Sequence, residues 1–142
     1  ADRTRAAATA TATLAAAAAT TPTAAATGAP TAAPTPTPTL AAGTARITGI
    51  TLSGSRYSVT FETAGFQPAL PGQHVHFFFD TVPPQQAGVP GTGPWFVYGG
   101  GSPFTGYTTA DRPAAATAMC FLVANPDHSV KQGTGNCVPL PR

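Results

Sequence analysis

An all-β domain, a small sandwich or barrel-like fold preceded by an extended Ala/Thr/Pro-rich N-terminal arm, is the fold class this sequence predicts. Three observations predict it. Up to about Ala45 the 142-residue chain is almost entirely Ala, Thr and Pro, whereas every aromatic residue, both cysteines and all three histidines lie beyond it. From Arg46 onward, short segments alternate apolar and polar residues with the period of two that a strand imposes. Clusters of Gly, Pro and Asn separate these segments at the spacing of a many-stranded sandwich or barrel.

Taken in order, residues 46–53 form the first expected strand, with Ile47, Ile50 and Leu52 as its apolar positions. Gly54-Ser55 is a glycine-first pair suited to a tight hairpin. Residues 56–63 then alternate cleanly, with Tyr57, Val59 and Phe61 on one side and Ser58, Thr60 and Glu62 on the other. Pro68, Pro71 and Gly72 make a loop before a strand at 73–80. An excursion rich in Pro and Gly runs from Val82 to Pro94, followed by a short strand at 95–98 that ends at Gly99-Gly100-Gly101. Residues 117–124 place Met119, Phe121 and Val123 on one face and Cys120 and Leu122 on the other. Asn125-Pro126-Asp127-His128 reads as a turn, and residues 136–140 close the domain. Trp95 precedes both cysteines, which does not match the immunoglobulin order of Cys, Trp, Cys.

Only 8% of residues are charged and the formal net charge is +2. That is about a third of the usual charged share. Nucleic-acid binding is not expected, because phosphate neutralisation needs clustered Lys and Arg. No stretch approaches the roughly 18 apolar residues of a membrane span. A surface whose polarity rests on Thr, Ser, Gln, Asn and Gly points to an extracellular or cell-surface protein, exported with its leader removed. Cys120 and Cys137 fit one disulfide in such an oxidising compartment.

The arm, residues 1–45, has two parts. Ala8, Ala10, Ala12 and Leu14 alternate with Thr9, Thr11 and Thr13, a strand pattern with one narrow apolar edge; the Ala run at 15–19 favours helix instead. Residues 20–40 are studded with proline, which removes backbone donors and favours polyproline II geometry. At about 3.1 Å per residue this spacer reaches roughly 60 Å. Thr alternating with Pro is the composition of O-glycosylated stalks, which makes Thr20, Thr21, Thr23, Thr35, Thr37 and Thr39 the O-glycan candidates. No Asn-x-Ser/Thr acceptor exists, since Asn125 precedes Pro126-Asp127 and Asn136 precedes Cys137-Val138.

Within the domain, residues 46–142, His74 and His76 stand two apart on one face of an expected strand. That is ligand spacing for zinc or copper, and His128 offers a third nitrogen. The simpler reading makes both histidines ordinary polar positions opposite a Val75/Phe77/Phe79 core face, and the expectation is that no metal or other cofactor is held. A cupredoxin copper site is not supported, because Met119 is beside Cys120 rather than downstream of it. No Gly-x-Ser-x-Gly elbow is present, and Glu62, Asp80, Asp111 and Asp127 are too scattered for a glycosidase pair. An enzyme is not expected. Trp95, Phe96, Tyr98, Phe104 and Tyr107 cluster in a Gly/Pro-rich stretch and offer a sugar-stacking face, against the simpler reading of core packing.

The sequence therefore predicts an extracellular structural subunit of a surface or filamentous assembly. Its partners are copies of itself, with the strand at 8–14 added to a neighbour's sheet. The plan resembles donor-strand pilins only in placing an extension before a β-domain. The alternative is a binding module for carbohydrate or metal displayed on the stalk.

Overall fold

The computed structural model describes residues 39–88 and 92–142. Among the described residues six strands form two antiparallel sheets packed face to face. A hairpin of β1 (Thr44–Ser53) and β2 (Arg56–Ala64) makes the smaller sheet. The larger sheet holds β3 (His74–Phe79), β4 (Trp95–Tyr98), β5 (Ala118–Ala124) and β6 (Cys137–Pro139), in the order β4-β3-β5-β6. A single 3₁₀ turn, Pro84–Gln86, interrupts the excursion between β3 and β4. No helix among the described residues is long and apolar enough to cross a membrane.

The hairpin turns at Gly54-Ser55 as expected, and Gly54 takes a positive φ of 59° that only glycine adopts without strain. Its strand β1 opens at Thr44, two residues ahead of the expected start. Ala45 is buried there and its N–H donates to the Thr134 carbonyl at 2.7 Å. The register slips between Ile47 and Gly49. At that slip the Asn136 side chain acts as a substitute strand, accepting from the Ile47 N–H at 2.7 Å and donating to the Ile47 carbonyl at 3.2 Å. The outer edge of β2 is covered in the same spirit by residues 104–108. Val59 and Phe104 exchange two backbone hydrogen bonds of 2.8 Å, and Tyr57 donates to the Tyr107 carbonyl.

The main core lies between the sheets. Ile47, Tyr57, Val59 and Phe61 from the hairpin meet Val75, Phe77, Phe79, Met119, Phe121 and Val123 from β3 and β5. The rings interlock: Phe104 stacks on Phe77 at 4.0 Å, while Phe61 meets Phe77 and Phe121 edge-on. Fully burying side chains of this kind contributes about 1.5–3 kcal/mol each.

The opposite face of β3 and β5 departs from expectation. On β3 the sequence predicts ordinary polar positions there, yet all six residues of β3 are buried. Phe78, Cys120 and Leu122 form a second cluster with Val82 and Ala87, and Trp95 and Val130 pack against it. The long connections after β3 and after β5 fold back over this face and shield it from water. Cys120 and Cys137 are joined, directly opposite one another in the β5–β6 pairing with Cα atoms 4.0 Å apart. In the chain-entropy argument a cross-link over a loop of this length stabilises by about 3 kcal/mol. Strand β3 stops at Phe79 because the Asp80 carboxylate turns to accept hydrogen bonds from the Thr117 N–H and hydroxyl.

Candidate metal centre

His74 and His76 project to the same face of β3, as period-two geometry requires, opposite Val75 and Phe77. Their environment is set by the loops rather than by the strand. The Gly72 carbonyl, just before β3, lies 2.8 Å from His74 Nδ1. The Ala87 carbonyl, at the end of the 3₁₀ turn, lies 2.6 Å from His76 Nδ1. A carbonyl oxygen only accepts, so both Nδ1 atoms are assigned as N–H donors, which leaves both Nε2 atoms unprotonated in the neutral rings.

Those two Nε2 atoms point at each other, 2.9 Å apart. The third imidazole arrives from the turn after β5. His128 adopts a φ of 69°, unusual for a residue with a Cβ. The turn over-determines that conformation: His128 N–H donates to the Asn125 carbonyl, and Asp127 accepts from the Ser129 N–H and hydroxyl. The result places His128 Nδ1 3.1 Å from His74 Nε2 and 3.4 Å from His76 Nε2. The excursion holds this turn in place from the other side. Gly88 packs so closely that a Cβ there would stand 2.5 Å from the His128 carbonyl oxygen.

Both strand histidines are fully buried. Burial is the largest influence on His76 and pushes it down from 6.5 to about 4; the neighbouring imidazoles act in the same direction, and the Ala87 carbonyl opposes them. At neutral pH His76 is therefore uncharged. With neutral rings the hydrogens do not suffice. His128 Nδ1 can donate to one neighbour, but the two Nε2 lone pairs of His74 and His76 still face each other at 2.9 Å. A proton or a metal ion between them relieves lone pairs brought this close.

The spacing is compatible with a metal centre. Two nitrogens bound to one ion at 2.0–2.1 Å across a tetrahedral angle stand roughly 3.3 Å apart, and here the three separations run from 2.9 to 3.4 Å. The backbone carbonyls on His74 and His76 are the outer partners that orient ligating imidazoles. Among the described residues the three histidines form a complete cluster, with no carboxylate or thiolate joining them. Each acid of the domain is engaged elsewhere: Glu62 with Arg46, Asp80 with Thr117, Asp111 with Thr108, and Asp127 with Ser129.

The other residues singled out from the sequence fall as follows. Of the five aromatics considered as a sugar face, Phe104 is buried in the main core, and Tyr98 and Phe96 meet it edge-on. Tyr107 donates its hydroxyl to the Phe77 carbonyl. Trp95 and Tyr107 line a cleft of about 190 Å³ with Asp111 and Pro113, and Phe96 is exposed, so of the five only Phe104 is fully buried core. Thr39 is exposed. Ala8, Ala10, Ala12, Leu14, Thr20, Thr21, Thr23, Thr35 and Thr37 lie outside the described residues. Compared with known proteins, the chain matches no family model, no curated protein and no solved structure.

Proposed function

We propose that this protein is a metal-binding module that holds one transition-metal ion, of the zinc or copper class, through His74 Nε2, His76 Nε2 and His128 Nδ1. This reading differs from the expectation of no metal drawn from the sequence. The observation that carries it is the convergence of three imidazole nitrogens within 2.9–3.4 Å, two of them locked as acceptors by backbone carbonyls. An all-imidazole donor set suits zinc, copper and nickel and is poorly matched to calcium or magnesium, which take oxygen ligands. The ion ties the turn after β5 to strand β3 and so fastens both long connections over the second cluster. The disulfide and the sparsely charged composition fit work outside the cell, with the domain carried on a Thr/Pro-rich, O-glycosylated arm.

Calorimetric titration of the full chain with zinc tests this. One ion per chain is expected. Each of His74→Ala, His76→Ala and His128→Ala should weaken binding by more than the roughly 10–100-fold typical of losing an outer-shell partner. Binding that is indifferent to all three substitutions contradicts the proposal.

A second reading, self-association by strand addition, is favoured by one observation. Among the described residues strand β4 pairs only with β3, so its outer edge is open to a fifth strand from a neighbouring copy. In that reading the segment carrying Ala8, Ala10, Ala12 and Leu14 supplies the added strand, and the Pro-rich spacer sets the distance between copies.

A further inference from the structure

We infer that the ion held by His74, His76 and His128 carries a small exogenous anion as its fourth ligand, with the Trp95 indole N–H as the hydrogen-bond donor that receives it. The inference rests on the metal reading above and adds the class of ligand that the centre takes. Three observations lead to it.

The first is geometric. Nitrogens separated by 2.9, 3.1 and 3.4 Å, each about 2.0–2.1 Å from a shared ion, subtend angles of roughly 90° to 110°. An ion held at these separations would have a further corner to fill. A flat three-coordinate centre would hold its nitrogens about 3.5 Å apart.

The second is electrostatic. Three neutral imidazoles bring no negative charge, and the four carboxyl groups of the domain are all committed to other partners. His74 and His76 are fully buried. A divalent ion there keeps its whole charge in a poorly solvated place, which is costly without a counter-charge. An anion on the remaining corner supplies that charge, and no residue of the cluster does.

The third is an unmet donor. Among the described residues, the one buried side-chain polar atom without a hydrogen-bond partner is Trp95 Nε1. The indole lies beside His76: the two rings are nearly parallel, tilted by 12° with centroids 6.3 Å apart. A buried N–H without an acceptor is destabilising and rare in folded proteins. An anion bound to the neighbouring ion provides the acceptor, so the same ligand meets both the unbalanced charge and the unmet donor. Azide, cyanate, hydroxide or a carboxylate have the required chemistry: one donor atom for the metal and one lone pair for the indole.

The test loads the full chain with copper(II), measures its copper content and titrates it with azide. The expected result is an azide-to-copper charge-transfer absorption that saturates at one azide per copper. In Trp95→Phe, which keeps a ring against His76, azide affinity per bound copper should fall by about tenfold or more, the worth of a hydrogen bond to a charged group. In parallel, azide is added to the zinc-loaded protein while its indole N–H resonance is followed. Trp95 is the sole tryptophan of the chain, so the signal is unambiguous, and it should shift. A protein that takes up no copper overturns both this inference and the metal reading. Copper uptake without an azide band overturns the open corner alone. Undiminished azide affinity in Trp95→Phe, or an indole resonance that azide does not move, overturns the part given to Trp95.

Discussion

One intervening residue separates His74 from His76, and that spacing alone aims both rings at one face of a strand. What orients the pair is the hydrogen bonding of the far side of each ring. By accepting from Nδ1, Gly72 and Ala87 turn both Nε2 lone pairs inward. The buried, neutral state of His76 has a thermodynamic signature in chelator-treated protein. Its folded value is about 4 against an ordinary 6.5. Above pH 6.5 both the folded and unfolded forms are neutral and this residue adds no pH dependence. Between 6.5 and about 4 the unfolded chain takes up a proton that the folded chain refuses, so stability falls as pH falls through that window. Denaturant midpoints measured across it should decline in the parent and flatten in His76→Ala. Asp111 and Asp127 act at lower pH, because hydrogen bonds from Thr108 and Ser129 hold their carboxyls below the usual range.

At the scale of the elements, strands that alternate were legible in the sequence and strands buried on both faces were legible only in part. The β1–β2 hairpin, its Gly54 turn and the inward set Tyr57, Val59 and Phe61 follow from period two. Strand β3 reads His-Val-His-Phe-Phe-Phe, and period two assigned its histidine face to solvent. Phe78 on that same face was the contrary signal. A large aromatic amid supposedly polar positions marks a strand covered on both sides, where continuous apolar runs replace alternation. The cover itself was not readable, because the Pro/Gly-rich excursion has no periodicity to betray where it folds. For the same reason the sequence presented His128 as a third nitrogen without placing it. Its arrival depends on a left-handed backbone angle and on close packing against Gly88, neither of which leaves a pattern. Gly88→Ala is therefore expected to push the excursion off the His128 turn and lower zinc affinity about tenfold or more, as losing an outer-shell partner does. Gly101→Ala, where a Cβ meets nothing within 4 Å, should bind zinc like the parent.

Across the whole molecule, a small core is reinforced by covalent and, in the present account, metal-mediated staples. A domain of about 100 residues buries a limited share of its surface and gains from such links. The disulfide pins β6 to β5, and the three histidines would pin the long connections to β3, so the two staples act on different segments. The arm belongs to the second reading, and deletion of residues 1–19 separates it from the first. If strand addition assembles the protein, the truncated chain should remain a single copy in sizing experiments while the full chain forms larger species. Zinc binding should be equal in both. If both chains behave alike in solution, the arm is a stalk and self-association by strand addition is wrong. The histidine cluster carries the proposed function, and X-ray absorption of the full chain loaded with one equivalent of zinc probes it most directly. Nitrogen and oxygen ligands at about 2.0–2.1 Å are expected, with the more distant scattering pattern of three imidazoles, lost in His76→Ala. A zinc edge showing oxygen ligands alone, or no retained zinc after desalting, would contradict it.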